Sequence, residues 1–221
     1  MEATQPEQQP ASDPFRAALA MDLAGVQERT ITVVARCLDR KPSEVQLTST
    51  LWGDLDAESL DMLDIVYSLE RSFVIRLPRL NLIQRATDLF GESVIVEGST
   101  VTAKGLAVLK ASMPEVPESF FQPNMKLHEF RKAVSVKSLV RVVERCLGAN
   151  AALRCKVCQG EPRQVPDFPM EICCAQCGAA MELPSGEDIV ISDLLRIGAE
   201  LGIPRVAVAS EAVVTTGTSG T

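Results

Sequence analysis

The chain lacks several patterns that mark common functional classes. It has one histidine, His128, among 221 residues and no Gly-x-Ser-x-Gly segment, so a serine-hydrolase nucleophile is poorly supported. We interpret His128 as a partly buried structural residue. No uninterrupted apolar run approaches the length of a membrane span. The opening residues MEATQPEQQPASDPF contain neither a basic nor an apolar segment, so we expect no leader and a cytoplasmic location.

The chain is also short of basic charge. It contains 22 Lys and Arg against 29 Asp and Glu, a net charge of -7. This balance argues against nucleic-acid binding, which depends on neutralising phosphates, and favours basic protein partners. An apolar content of 46% is enough for a substantial core, and we expect a monomer.

Composition and periodicity divide the chain into a mainly α domain, a cysteine-rich module and three flanking pieces. We expect disordered tails at residues 1–14 and 214–221, which are polar and without periodicity. The helical domain spans 15–150, the cysteine-rich module 151–184, and a helix-strand extension 185–213. Apolar residues at helical spacing predict helices over 22–39, from Ser59 to a point before Pro78, and over 135–148. We expect Gly148 to end the last of these.

Residues 55–78, LDAESLDMLDIVYSLERSFVIRLP, contain three serines, of which Ser59 lies at the predicted helix start, and an unusually apolar outer flank. The stripe predicted to face the core is Met62, Ile65, Val66, Leu69 and Phe73. The flank beside it, predicted to need a partner, is Leu60, Leu63, Tyr67 and Glu70. A phosphate attached to Ser59 would lie against free backbone amides at the positive end of the helix. Ser59 could also act as an N-cap, whose removal costs about 1 kcal/mol, and the two roles are compatible.

This stretch resembles the second helix of an acyl carrier protein, in which an Asp-Ser-Leu triplet marks the serine that bears 4′-phosphopantetheine. Here the triplet reads Glu58, Ser59, Leu60, and an acidic helix, a phenylalanine and a proline follow at the family's distances. Residues 22–78 carry most of the resemblance, and 134–147 resemble the family's last helix. The resemblance implies attachment at Ser59 and partner docking by Glu58, Leu60, Asp61, Leu63, Asp64, Tyr67 and Glu70.

The chain departs from the family's pattern in two ways. Asp56 stands where the family usually has glycine, and Glu58 replaces the usual aspartate. Residues 79–133 are an insertion far longer than the family's short third helix. Periodicity predicts helices at 79–91 and 102–114, a strand at 93–98 and a turn or short helix at 125–130. We expect this segment to pack beside the second helix and to cover Leu63 and Tyr67 in part.

The cysteine-rich module contains two Cys-x-x-Cys pairs separated by fifteen residues, a spacing typical of four-thiolate zinc sites. The predicted ligands are Cys155, Cys158, Cys174 and Cys177, within a zinc ribbon. Cys173 could replace its neighbour Cys174, but Cys174 completes the Cys-x-x-Cys pair. A redox pair and unliganded core cysteines are the alternatives.

Together these patterns predict an acyl-carrier-like helical bundle with a long insertion, followed by a small zinc-ribbon β module. By resemblance, a phosphopantetheinyl transferase loads Ser59, and the arm carries an acyl or aminoacyl thioester between loading and transfer enzymes of lipid or secondary-metabolite biosynthesis. The chain itself would catalyse nothing. The alternative is a zinc-ribbon interaction protein whose carrier-like domain is never loaded. The extension, residues 185–213, could pack on the ribbon or dock on the carrier-like domain.

Overall fold

The computed structural model describes residues 13–79 and 81–206, and its fold is mainly α, as the sequence predicts. The helices are α1 (Pro14–Leu19), α2 (Leu23–Cys37), α3 (Ser59–Phe73), α4 (Leu82–Phe90), α5 (Glu92–Ile95), α6 (Ala103–Ser112), α7 (Val136–Ala151) and α8 (Gly186–Glu200). Short 3-10 turns lie at Pro42–Glu44, Glu118–Phe120 and Leu127–Ala133. The strands are β1 (Val96–Glu97), β2 (Thr100–Val101), β3 (Pro162–Val165), β4 (Phe168–Cys174) and β5 (Ala180–Met181).

A first core is formed where α2, α3 and α7 pack together. The inner stripe of α3 is placed as predicted: Ile65, Leu69 and Phe73 are fully buried, with Met62 and Val66 packed at its margin. Burying an aliphatic or aromatic side chain contributes about 1.5–3 kcal/mol, so this stripe fixes which face of α3 is left for solvent. The opposite face of α3 is consequently available to partners.

The ends of α3 and α7 are set by tertiary contacts as well as by local residues. α3 ends where Val74 adopts a left-handed φ of 51°, ahead of Pro78 as expected. α7, however, continues through Gly148 to Ala151, so the expected stop at Gly148 is wrong. The buried Asn150 amide donates to the carbonyl of Val74 at 2.9 Å, and this bond holds the last turn of α7 in place.

The inserted segment forms a second core of its own. Helices α4 and α6 match the predicted helices, whereas the region predicted as a strand is the short α5 followed by the β1–β2 hairpin. α8 packs on α4 and α6, and its Leu194 and Ile197 are buried in the same core. α8 approaches closely at Gly198, where a Cβ atom would lie 2.5 Å from the ring of Phe90. The helix of the extension therefore completes the core of the inserted segment instead of packing on the ribbon.

The two cores are joined by ion pairs. Arg141 of α7 pairs with Glu115 of the inserted segment at 3.3 Å, and Arg145 of α7 pairs with Asp193 of α8. Within the second core, Arg85 of α4 pairs with Glu187 of α8 at 2.6 Å. The pairs made by Arg141 and Arg145 fix how the inserted segment and α8 lie against the first core.

Strands β3, β4 and β5 form an antiparallel sheet in the cysteine-rich module. A small apolar cluster of Phe15, Val74 and Ile172 attaches this sheet to the helical domain. Arg16 of α1 also pairs with Glu161 at 3.1 Å, so α1 lies between the module and the helices. The strand part of the predicted extension and the two tails fall largely outside the described residues. No helix in the described ranges combines the length and the apolarity needed to cross a bilayer.

Candidate functional site

Ser59 is the first residue of α3, and its side chain is exposed. The N-cap position is Glu58, and the backbone amide of Glu58 donates to the Asp61 carboxylate at 2.7 Å. The hydroxyl of Ser59 makes no hydrogen bond to another residue that the structure describes. Capping is thus done by neighbours, and the interpretation of Ser59 as the N-cap is wrong. Its hydroxyl is available for attachment chemistry.

The loop before Ser59 bends sharply at Asp56, whose φ is 53°. This left-handed geometry is rare in residues other than glycine and asparagine or aspartate. Arg40 supports the bend by donating to the carbonyl of Leu55 at 3.0 Å, and its guanidinium lies 3.7 Å from the Asp56 carboxylate. The loop therefore presents Ser59 at a fixed place on the surface.

The outer flank of α3 is exposed and apolar. Leu60, Leu63 and Tyr67 are 75%, 66% and 54% exposed. The expectation that the inserted segment covers Leu63 and Tyr67 is therefore wrong, because that segment buries its apolar residues in its own core with α8. Asp64 beside them is exposed, and Asp61 is half-buried.

Glu70 was predicted to belong to this docking flank, and the structure contradicts that prediction. Its side chain is buried, accepts the amide of Leu77 at 2.9 Å, and pairs with the Arg79 guanidinium at 2.8 Å. A buried carboxylate needs such partners to offset its lost hydration. Glu70 therefore anchors the chain that leaves α3 and is buried away from the exposed flank.

A groove of about 740 Å³ opens beside Ser59, and Leu60, Leu63 and Tyr67 of the outer flank do not line it. Its lining residues are Trp52, Ser59, Met62, Asn81, Ile83, Gln84, Leu127, His128, Phe130, Arg131 and Val134. His128 is exposed at this groove, so its interpretation as a partly buried structural residue is wrong. Sequence reasoning missed this site because its far wall is a 3-10 turn about 70 residues downstream. The adjacent basic residues of HEFRK were the available signal.

The structure brings Cys155, Cys158, Cys174 and Cys177 together, with all four Sγ atoms within 4.8 Å of one another. The Cys155–Cys177, Cys158–Cys174 and Cys158–Cys177 sulfur separations are 3.7, 3.3 and 3.4 Å. Tetrahedral zinc bonds of about 2.3 Å to sulfur would separate the sulfurs by about 3.8 Å. The four thiols therefore fit a metal ion of this kind.

The two Cys-x-x-Cys pairs have the same backbone conformation. The amide two residues after the first cysteine donates to its sulfur at 3.4 Å, from Val157 to Cys155 and from Gln176 to Cys174. Gly160 follows the first pair, and a Cβ atom there would lie 2.8 Å from the sulfur of Cys174. The backbone is thus shaped around the sulfur cluster.

Further bonds extend this correspondence to the residue after each pair. Gln159 donates to the carbonyl of Cys155 at 2.9 Å, and Gly178 donates to that of Cys174 at 3.0 Å. Both residues are left-handed, with φ of 61° and 73°. Two turns of one conformation thus present four sulfurs to a shared centre.

The amides around the cluster favour thiolates at the first cysteine of each pair. Backbone hydrogen bonds at Cys158 and Val157 lower the pKa of Cys155. A backbone bond at Cys177 is the main cause that lowers the pKa of Cys174 to about 6. The pKa of Cys158 is raised to about 12, because its bonds to Cys174 and Cys177 outweigh the lowering by the Gly160 amide. A bound dication would offset the repulsion among four thiolates.

The remaining cysteines lie outside the cluster. Cys173 is directed away from it by strand alternation in β4, between the buried Ile172 and Cys174. Burial raises the pKa of Cys146 to about 12, and burial also raises that of Cys37. Cys37 and Cys146 belong to the first core or its margin, and neither serves as a ligand at the cluster.

No protein-family model matches the chain, and no solved structure matches it. Its function is consequently inferred from its own residues.

Proposed function

We propose that the chain is a carrier protein that bears 4′-phosphopantetheine on Ser59. One observation carries this proposal. An exposed serine hydroxyl, without a hydrogen bond to the described residues, lies at the start of an acidic helix whose outer flank is apolar and solvent-exposed. A purely structural α3 would have no need of three large exposed apolar side chains.

The geometry around Ser59 adds support from two positions that depart from the resembled acyl carrier family. Asp56, which replaces the usual glycine, has the left-handed φ that glycine adopts most readily. Glu58, which replaces the usual aspartate, is the N-cap residue of α3. The packing of α2, α3 and α7 in one core also agrees with an acyl-carrier-like bundle.

Charge near Ser59 indicates the kind of partner. Exposed or half-buried carboxylates surround it at Asp54, Asp56, Glu58, Asp61 and Asp64. Such a surface accelerates encounters with basic proteins, and the apolar flank then supplies buried contact area. We propose that the phosphopantetheinyl transferase and the acyl- or aminoacyl-handling enzymes dock here through basic surfaces.

Loading is a phosphoryl transfer in this scheme. The Ser59 oxygen forms a bond to the phosphorus of coenzyme A that carries pantetheine, the pyrophosphate bond breaks, and 3′,5′-ADP leaves. The hydroxyl proton passes to a base of the transferase. The terminal thiol of the arm then holds the cargo as a thioester, so the chain is a substrate of enzymes and not an enzyme. We also propose that the chain is a monomer and is located in the cytoplasm.

The cysteine cluster is proposed to hold one structural zinc ion through Cys155, Cys158, Cys174 and Cys177. Four protein ligands close the coordination sphere, so the metal stabilises the fold and does not bind a substrate. The module has few buried apolar residues, with Ile172 as its contribution to the small cluster that attaches it. Metal binding, which can supply on the order of 10 kcal/mol, is then its main source of stability.

Intact-mass spectrometry after incubation with coenzyme A and a broad-specificity transferase tests the carrier proposal. The wild-type protein should gain the mass of one phosphopantetheine, Ser59→Ala should gain none, and the matched variant Ser68→Ala on the same helix should load normally. No mass gain by the wild type under conditions that load a known carrier would overturn the proposal.

One observation favours a second function, that of a zinc-ribbon interaction protein with an unloaded helical domain. Val157 between the first two cysteines is 76% exposed, and Phe168 at the start of β4 is also exposed. Apolar side chains at turn tips suit protein contacts. A wild-type protein that retains zinc and never loads would favour this second function.

A further inference from the structure

The groove beside Ser59 is built mainly by the inserted segment. Ser59 and three residues packed against the first core, Trp52, Met62 and Val134, line one part of it. The other part is supplied by α4, with its N-cap Asn81, and by the 3-10 turn Leu127–Ala133. The volume of about 740 Å³ lies within the range of small-molecule sites. Because Ser59 itself lines the groove, any group attached to its oxygen begins inside it.

The groove has an apolar floor and a polar rim. The apolar lining residues are Trp52, Met62, Ile83, Leu127, Phe130 and Val134. The polar lining residues are Asn81, Gln84, His128 and Arg131. This combination suits a ligand that is charged or polar at one end and apolar at the other.

Charge differs between the two walls. The residues beside Ser59 on its own loop and helix are acidic, with Glu58 and Asp61 nearest in sequence. The basic lining residues, Arg131 and His128, both come from the inserted segment, and Arg131 makes no ion pair with another described residue. A phosphodiester on Ser59 is therefore attracted by these basic side chains across the groove, as well as by the backbone amides at the start of α3.

We propose that this groove is the resting site of the prosthetic arm, an inference that depends on the proposed loading of Ser59. The phosphodiester lies against Arg131 and His128, and the apolar part of the cargo lies over Ile83 and Phe130. The inserted segment thus holds the loaded arm within the same chain and shelters the thioester from water. Its ligand is a phosphodiester-linked arm that bears an apolar acyl group.

The single histidine of the chain makes this proposal measurable. The imidazole signals in a ¹H–¹³C NMR spectrum belong to His128 alone, and they should shift when phosphopantetheine is attached to Ser59. The ³¹P signal of the arm should differ between the wild type and Arg131→Gln. Arg71→Gln removes a cation from the outer flank of α3, where Arg71 bonds Tyr67, and should leave both signals as in the wild type.

A second measurement follows the cargo. Hydrolysis of an octanoyl thioester on the arm should be roughly two- to fivefold faster in Arg131→Gln than in the wild type, the range set by loss of one exposed ion pair. Arg71→Gln should hydrolyse at the wild-type rate. Both variants change exposed side chains, and circular dichroism of each establishes that the fold is retained.

Mass spectrometry separates failure of this inference from failure of the proposed function. A wild-type protein that does not load overturns both. A protein that loads, but whose His128 signals do not move and whose Arg131→Gln variant keeps the wild-type ³¹P signal and hydrolysis rate, overturns the groove proposal and leaves the carrier function standing. The groove proposal is supported if the His128 signals shift on loading and hydrolysis is faster in Arg131→Gln but not in Arg71→Gln.

Discussion

Replacing Ser59 with alanine should abolish loading and leave the stability of the first core almost unchanged. Ser59 is the first residue of α3, and capping is done by its neighbours Glu58 and Asp61. Alanine has a better helix propensity than serine by up to about 0.5 kcal/mol. The free energy of unfolding should therefore change by no more than about 0.5 kcal/mol, below the cost of about 1 kcal/mol for a lost N-cap.

Asp61 provides the matched comparison within the same helical turn. Its carboxylate accepts the amide of Glu58 at 2.7 Å, so Asp61→Ala removes that bond, at about 1 kcal/mol. It also removes a negative charge from the positive end of the helix, worth about 0.3–1 kcal/mol. Asp61→Ala should thus cost about 1–2 kcal/mol. Asp61→Asn keeps an acceptor and should lose only the smaller charge contribution.

Urea unfolding monitored by the fluorescence of Trp52 is the appropriate assay. Trp52 is the only tryptophan and packs against the first core, so its signal reports on α2, α3 and α7 and not on the cysteine-rich module. The midpoint of the transition gives the change in stability when its slope is constant. A loss above about 1 kcal/mol in Ser59→Ala, or an Asp61→Ala variant as stable as the wild type, would refute the assignment of the cap.

Three further outcomes are expected. Metal analysis should find one zinc per chain in the wild type and in Cys173→Ser, and none in Cys174→Ser. The reason is that Cys174, and not its neighbour Cys173, belongs to the sulfur cluster. Glu70→Gln should lower the stability of the first core by about 1–2 kcal/mol in urea, because it weakens a charge-assisted bond at a buried site. Glu144→Gln, at an exposed site, should leave that stability unchanged. Asp64→Lys should slow loading most at low salt, because Asp64 is exposed and is proposed as a docking charge, and an unchanged salt dependence would contradict this role.

Features set by short-range periodicity were predictable from the sequence. The inner stripe of α3 follows from spacings of three or four residues, which helix geometry converts directly into position. Each Cys-x-x-Cys pair is likewise local, and the antiparallel pairing of β3 with β4 brings the two pairs together. Cys174 was preferred to Cys173 on spacing, and strand alternation in β4 separates the two. The candidate zinc site was therefore accessible to sequence reasoning.

Features that depend on distant contacts were not predictable. Glu70 shares the apolar flank on a helical wheel, but it is buried because the chain turns back after α3 and brings Leu77 and Arg79 to its carboxylate. α8 joins the core of the inserted segment about a hundred residues away, and no local pattern indicates that pairing. The groove has the same origin, since its two walls come from separate parts of the chain.

The position of the inserted segment decides what kind of control it can exert over a carrier. Had it covered Leu63 and Tyr67, it would compete with docking enzymes, but both side chains are exposed and neither lines the groove beside Ser59. In the proposed scheme, an enzyme can dock on the outer flank while the arm is still held in the groove. Docking and release of the arm then become separate steps, so Arg131→Gln should alter access to the thioester without weakening enzyme docking, and Leu63→Ala should do the reverse.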